Sequence, residues 1–364
     1  MQRPPLHALT SLRFFAAGAI VLFHLGGLMP FGYVFGLANG VSLFFVLSGF
    51  ILTYNYPVLH DKIGRFYLAR FARLWPVHIF TLGLAMFLLP SLGTGAMTEN
   101  GLKLLFANIF LLQSWVPKNG FVFSFNGVSW SISTEMFFYA AFPIALLCRR
   151  IYLLAALAFA VSLAVVTYIH ITGAPLGMTS PGSWTWHHIM LHFPPMRLFE
   201  FLTGMATARL FLARGSISYD TTWLECGAIA AVIGSVALMG FITGAYGAWF
   251  SQTGSFLAFA FLIYVLAAGN GVIRRSLEHP ILIRLGEISF ATYMVHSLLL
   301  KHATQAKMIA TWNQSAAAIM LLLVIYITSY AIWRLVEVPA RQAILSARPM
   351  SLLRRDKAVS GTSS

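Results

Sequence analysis

Arg13 and His24 are the residues whose types and spacing first suggest chemistry. Ten residues separate them inside the hydrophobic run from Leu6 to Met29. At ~100° per residue they return to within about 20° of one helix face, and at ~1.5 Å rise they stand about 16 Å apart along it. A fixed cation and a titratable imidazole thus line one stripe of an apolar helix. Ionisable groups at such depth are costly and mark functional sites by default. The plainer reading is an Arg that snorkels to a helix end and a His that packs with a hydrogen bond.

Other polar side chains recur at helical spacing. Arg70 and Arg73 are three apart and share a face just before Pro76. They read as an orienting basic loop, or as guanidinium forks that grip a phosphate. Ser131, Glu135 and Tyr139, at four-residue steps after Trp130, form one polar stripe. Ser289, Tyr293 and His296 fall at i, i+4 and i+7, either a hydrogen-bond seam between helices or part of a site. Trp130, Ser131, Ser289, Tyr293, His296 and Glu337 are therefore acceptor-contacting or structural candidates. Arg197 and Glu200, three apart, read as a self-neutralising structural pair, with Gly204 permitting close helix approach. Glu337 among several arginines reads as a structural ion pair. His187, His188 and His192 lack neighbouring carboxylates or cysteines, so solvated or acceptor-contacting histidines are expected and no metal site.

The elements that must hold these residues are membrane helices. The chain is 59% hydrophobic and only 9% charged, where a soluble domain carries about 25% charged residues; its mean hydropathy is +0.78. The net charge of +14 is spread between apolar runs and forms no stripe, which argues against nucleic acid. Two cysteines exclude a disulfide scaffold. The first run lacks a cleavage pattern and is long enough to stay in the membrane. Ten spanning segments are expected, at approximately 7–29, 36–56, 74–90, 127–147, 151–171, 194–212, 222–242, 252–269, 285–303 and 314–335, with Pro76 opening a short third one. The stretch 102–116, cut by Asn108 and Gln113, reads as interfacial or re-entrant. The class is all-α, polytopic, in one domain over 1–341, followed by a basic disordered tail over 342–364.

An N-in, C-in arrangement puts 19 of the 24 Lys and Arg residues on the cytoplasmic side and leaves Lys103, Lys118, Arg197, Lys301 and Lys307 outside. On that topology Glu135 lies about 12 Å below the outer end of its helix. His24 is also in the outer half of its own, so the two are expected to meet, with the carboxylate orienting the imidazole as general bases often require.

Taken in order, these motifs resemble the membrane acyltransferase-3 family of bacterial sugar O-acyltransferases. The resemblance rests on Arg13-x10-His24, Gly-Val-Ser-Leu-Phe-Phe-Val-Leu-Ser-Gly-Phe at 40–50, Arg70-x-x-Arg73, Ser-Trp-Ser-Ile-Ser-Thr-Glu at 129–135, Arg197-x-x-Glu-Phe-x-x-Gly204, the Gly286 to His296 stretch and Glu337-x-Pro339. It implies no bound cofactor and acyl-CoA, most simply acetyl-CoA, as cytoplasmic co-substrate. It also implies His24 as the catalytic residue and the arginines as donor-site residues. The length is similar to that of exopolysaccharide acetylases of the xanthan or succinoglycan type. The expected partners are acyl-CoA, a lipid-linked oligosaccharide or polysaccharide acceptor, and membrane lipid, in the bacterial cytoplasmic membrane. The donor phosphates would rest on Arg13, Arg70 and Arg73, and the thioester would reach His24. Two rivals stand beside this reading: a transporter or flippase of a lipid-linked saccharide, against which the missing inverted repeat counts, and an acyltransferase of a small molecule such as a macrolide.

Overall fold

The computed structural model describes residues 3–29, 32–59, 62–89, 91–92, 97–177, 183–308 and 312–347. Its helices are α1 (His7–His24), α2 (Gly40–Asn55), α3 (Ile63–Leu88), α4 (Glu99–Ile109), α5 (Trp130–Leu147), α6 (Ile151–Thr172), α7 (Trp186–His192), α8 (Leu198–Arg214), α9 (Thr222–Leu238), α10 (Gly244–Thr253), α11 (Phe256–Ala268), α12 (Pro280–Gln305), α13 (Gln314–Ile332) and α14 (Val338–Ser346). No strand occurs among the described residues. The protein is an all-α polytopic membrane protein.

Eight helical stretches are long and apolar enough to cross a bilayer. The other two expected spans are also helical, as α8 and α12. Both lie inside the bundle, where protein replaces lipid as the surrounding medium. There α12 carries Arg284, Glu287 and Lys301 along its 26 residues, and α8 is 17 residues long with the Arg197–Glu200 pair at its start. The contrast with α9 is physical: only 17% of its apolar window is buried, so lipid selects its composition.

Two backbone contacts set the bundle. A Cβ on Gly204 of α8 would lie 1.9 Å from the Val46 carbonyl oxygen of α2, and one on Gly286 of α12 would lie 2.0 Å from that of Thr10 in α1. Only glycine admits such approach, as small residues do at membrane helix crossings. The aromatic rings of Phe45, Phe66, Phe138, Phe142 and Phe201 fill the space between α2, α3, α5 and α8.

Three expectations are corrected. The third span does not open at Pro76: α3 runs unbroken from Ile63 to Leu88, about 39 Å at ~1.5 Å per residue. Pro76 removes one backbone donor, which a helix packed among others tolerates, so the basic turn is the first part of the membrane helix and shares its direction. The eighth span starts earlier, at Gly244, and is broken between α10 and α11. The segment 102–116 is α-helical to Ile109 and resumes as a short 3-10 turn at Gln113–Trp115. Between them Leu111 takes a left-handed φ of 57° and turns the chain towards α5. There Gln113 Nε2 donates to the Ser129 carbonyl and hydroxyl, both at 3.1 Å, and Ser114 Oγ donates to the Trp130 carbonyl at 2.8 Å. This stretch braces the start of α5.

Contacts near the helix ends tie neighbouring segments together. Arg209 bonds the carbonyls of Leu146 and Cys148, and Arg275 pairs with Asp220 at 3.5 Å. Thr185 N donates to Pro117 O at 3.1 Å at the opposite end. At the close of α13 one π-type turn, Trp333–Glu337, leads into α14. Such turns re-aim side chains and recur at functional sites; this one carries Glu337 inward, 3% exposed. The expected tail boundary at 342 falls inside α14, which continues to Ser346; from Arg348 on, the tail lies outside the described residues.

Candidate functional site

The polar residues gather in two cavities on the same side of α1. The first, of about 290 Å³, is lined by Arg13 of α1, Ser48 of α2, Arg70 and Arg73 of α3, Glu135 and Tyr139 of α5, Ser131, Tyr293 and Arg341. Four guanidinium groups thus face one lining carboxylate. Glu135 Oε1 accepts from Tyr139 Oη at 2.6 Å and Ser48 Oγ at 3.1 Å. Arg73 Nη1 donates to Glu337 Oε1 at 2.9 Å. Arg70 makes no ion pair among the described residues. Its guanidinium stacks 5.7 Å from the Tyr56 and Tyr139 ring centres, and its buried Nε has no partner. An electropositive cavity with an unsatisfied guanidinium donor suits a multivalent anion, because planar forks match phosphate oxygens in pairs.

The second cavity, of about 320 Å³, is lined by His24, Phe23, Phe123, Trp130, His192, Gln252, Tyr293 and Lys301. His24 ends α1, and its Nδ1 lies 2.9 Å from the Ile20 carbonyl oxygen. His296 of α12 stands against it, with ring centres 4.9 Å apart. Val41 and Tyr293 line both cavities, which adjoin at these two side chains. Tyr293 Oη is held by Ser131 Oγ at 2.7 Å and donates to the Val128 carbonyl at 2.9 Å.

The structure divides the expected site residues accordingly. Arg13, Arg70, Arg73, Ser131 and Glu135 line the first cavity, and His24 and Trp130 the second. The expected meeting of Glu135 with His24 does not occur. Glu135 is engaged by Ser48 and Tyr139 in the arginine cavity, and the imidazole beside His24 belongs to His296. Glu135 lies at the level of Arg13 and not of His24, one cavity further along α1. Ser289 lines neither cavity; it is buried and donates to the Gly286 carbonyl of its own helix at 2.7 Å. Glu337 is the ion-pair partner of Arg73. Arg197 and Glu200 form a sealed bidentate pair at 2.5 and 2.9 Å.

The α7 histidines are not all solvated. His188 and His192 are buried, with their Nδ1 atoms 3.1 Å apart. Burial first, then the neighbouring His187, pushes His188 down to about 4. Burial likewise holds His192 well below the ordinary imidazole range, with His188 adding to it. His192 also stands edge-on to Trp130 at 4.5 Å, at the wall of the second cavity.

Several lining residues escaped the sequence reading. Arg341 counted only as a basic residue at the start of the tail, although its four-residue step from Glu337 along a helix was a signal. Ser48 was legible as a polar interruption of the apolar run 40–50. Nothing in the spacing of Lys301 or Gln252 pointed to His24.

The chain was compared with known proteins. The family model described as "Acyltransferase domain" matches residues 6–334. Acyltransferase MdmB of Streptomyces mycarofaciens is 28% identical over 95% of this chain and 94% of its own length. Nodulation protein 10 of Rhizobium leguminosarum bv. viciae is 26% identical over 79% of this chain and 81% of its own. No solved structure matches the chain.

Proposed function

The chain belongs to the acyltransferase-3 family, and from that premise we propose an O-acyltransferase of the bacterial cytoplasmic membrane that moves an acetyl group from cytoplasmic acyl-CoA to a sugar hydroxyl of an exopolysaccharide or its lipid-linked precursor. The observation that supports this most is the pair of cavities along one helix, cationic at Arg13 and imidazole-bearing at His24. The Lys and Arg asymmetry orients the cationic one to the cytoplasm.

In this reading the donor phosphates lie on Arg13, Arg70, Arg73 and Arg341. The long thioester arm extends beside α1 past Val41 and Tyr293. The acceptor enters the second cavity, whose Trp130, Phe23 and Phe123 offer flat apolar surface to a sugar ring. His24 takes the proton of the hydroxyl, the oxygen attacks the thioester carbonyl, and the departing thiolate recovers the proton from His24. The O–C bond forms as the C–S bond breaks, and the proton ends on the thiol. Positioned general bases contribute about 10²–10⁴-fold.

The test uses purified protein in lipid nanodiscs with acetyl-labelled acetyl-CoA and three acceptors: a lipid-linked oligosaccharide, the finished polysaccharide and a macrolide. Label transferred to a saccharide by wild type and lost in a folded His24→Ala protein is the expected result. Transfer to the macrolide alone would establish the small-molecule reading instead. Wild-type transfer by His24→Ala would remove His24 from the mechanism.

A further inference from the structure

The two imidazoles between α1 and α12 make contacts that determine where their protons sit. His296 Nδ1 lies 2.6 Å from the Tyr293 carbonyl oxygen and 3.2 Å from that of Thr292. His24 Nδ1 lies 2.9 Å from the Ile20 carbonyl oxygen. A carbonyl oxygen only accepts, so each Nδ1 carries a hydrogen. In a neutral ring the other nitrogen then bears the lone pair. His296 Nε2 stands 3.2 Å from His24 Nδ1, so a lone pair meets an N–H that is shared with the Ile20 carbonyl, and the assignment is consistent at all four contacts. It leaves His24 Nε2 bare of hydrogen, on a ring that lines the second cavity.

We infer that His296 is the positioning residue of the reaction: with the Ile20 carbonyl it shares the single Nδ1–H of His24, keeps the ring aimed with Nε2 free to act as base, and takes up part of the charge that develops when Nε2 takes a proton. This rests on the assignment of His24 above. Hydrolytic triads give this task to a carboxylate behind the histidine. Here no carboxylate is in place, since Glu135 is engaged in the other cavity. A neutral imidazole accepts the His24 Nδ1–H bond instead. When His24 becomes an imidazolium, that N–H turns more acidic and its bond to His296 Nε2 strengthens. When the thiolate leaves, Nε2 returns its proton and both rings regain their starting forms, so no proton is gained or lost by the pair.

The surroundings favour this role over a purely packing one. His296 is 1% exposed, and every hydrogen bond of its ring is to a backbone carbonyl or to His24. The close crossing of α1 and α12 at Gly286 fixes the two rings' helices to one another. The charged and titratable groups around the pair are Lys301 and Tyr293 of α12 and, across the cavity, His192 of α7. None of these is an acid at neutral pH that would pair with an imidazolium, so His296 Nε2 is the side-chain acceptor that joins the Ile20 carbonyl at His24 Nδ1.

The experiment compares wild type, His24→Ala, His296→Leu and His296→Gln in nanodiscs. Leucine keeps bulk without an acceptor. Glutamine returns an acceptor oxygen near the Nε2 position. His296→Leu is expected to lower kcat about tenfold or more, part of the ~10²–10⁴-fold that a positioned base supplies, with the KM for acetyl-CoA unchanged. Its acidic pH–rate limb should move to lower pH, as expected for a base whose imidazolium has lost an acceptor. His296→Gln should restore most of both. ¹⁵N spectra of His-labelled wild type, recorded without substrate, should show both rings as Nδ1–H forms, and His296→Leu should shift the His24 Nδ1–H resonance as one of its two acceptors is lost, the Ile20 carbonyl keeping the tautomer. If His296→Leu matches wild type in kcat and pH profile while His24→Ala is inactive, the inference falls and the role of His24 survives. If His24→Ala is active, the functional reading itself has failed. If His296→Leu does not fold, His296→Gln and the wild-type spectra decide: an Nε2–H form of His24 overturns the inference.

Discussion

Arg197–Glu200 and Arg73–Glu337 are built from the same two side-chain types and serve opposite ends. Both atoms of the first carboxylate are bound, at 2.5 and 2.9 Å, and the remaining guanidinium donors reach the Leu191 and Gln252 carbonyls. Phe45 and Trp130 cover the cation, and both residues are fully buried. The second pair has one bond, an arginine that is 19% exposed, and a Glu337 oxygen buried without a partner. It opens on the first cavity beside the unpaired Arg70. A charge that is fully satisfied inside the protein can only hold helices together. A charge left partly unsatisfied at a cavity wall retains binding capacity for a ligand. The comparison separates structure from function better than burial does, because Glu200 and Glu337 are almost equally hidden.

The sharpest way to break this contrast is Glu200→Gln. It strands the Arg197 cation in an apolar core, and losing one partner of a buried pair costs about 3–5 kcal/mol. Thermal unfolding in detergent should show the loss, with little folded protein recovered. Arg70→Met should do the reverse. It removes a cation with no ion-pair partner among the described residues, so stability should change little, whereas labelled acyl-CoA binding should weaken about tenfold, or ~1.4 kcal/mol. Normal donor binding by this variant would reduce Arg70 to a topological anchor.

Glu135→Gln sharpens the contrast further. The carboxylate shares the arginine cavity and does not touch His24, so the variant should alter the acyl-CoA KM by a few-fold, ~0.5–1 kcal/mol, and leave the acidic limb of the pH–rate profile in place. A displaced limb would return Glu135 to the base. The smallest effect is expected at α7, where neutrality rather than pairing is the rule. His188 titrates near 4 when folded and near 6.5 when unfolded. Between those values the unfolded chain binds the extra proton, so stability is full above about pH 6.5 and declines as pH falls towards 4. His188→Gln should remove part of that slope, a difference of roughly 2–4 °C in Tm at pH 5.

Much of this was legible in the residue order. The ten apolar runs all contain helices, eight of them by length and hydropathy alone, and α8 and α12 inside the bundle. Arg13, Arg70 and Arg73 were grouped correctly because their charges marked one end. The rotation of one helix about another was not legible. Periodicity places a side chain on a face of its own helix, but the backbone contacts at Gly204 and Gly286 decide which neighbour that face meets. Glu135 was therefore assigned to His24 by depth and belongs to Ser48 and Tyr139. Ser289 shared a stripe with Tyr293 and His296, yet it spends its hydroxyl on its own helix, a local bond that spacing does not reveal.

The junction of the two cavities at Val41 and Tyr293 has an electrical consequence. A bilayer that stores a proton gradient tolerates no continuous wet path across it, and an arginine-lined vestibule joined to a histidine-lined one would be such a path. Two side chains, one of them tethered through its hydroxyl to α5, stand where the paths would join. In the proposed reaction, a small neutral group passed between the cavities at Val41 and Tyr293 would leave the ions on either side where they are.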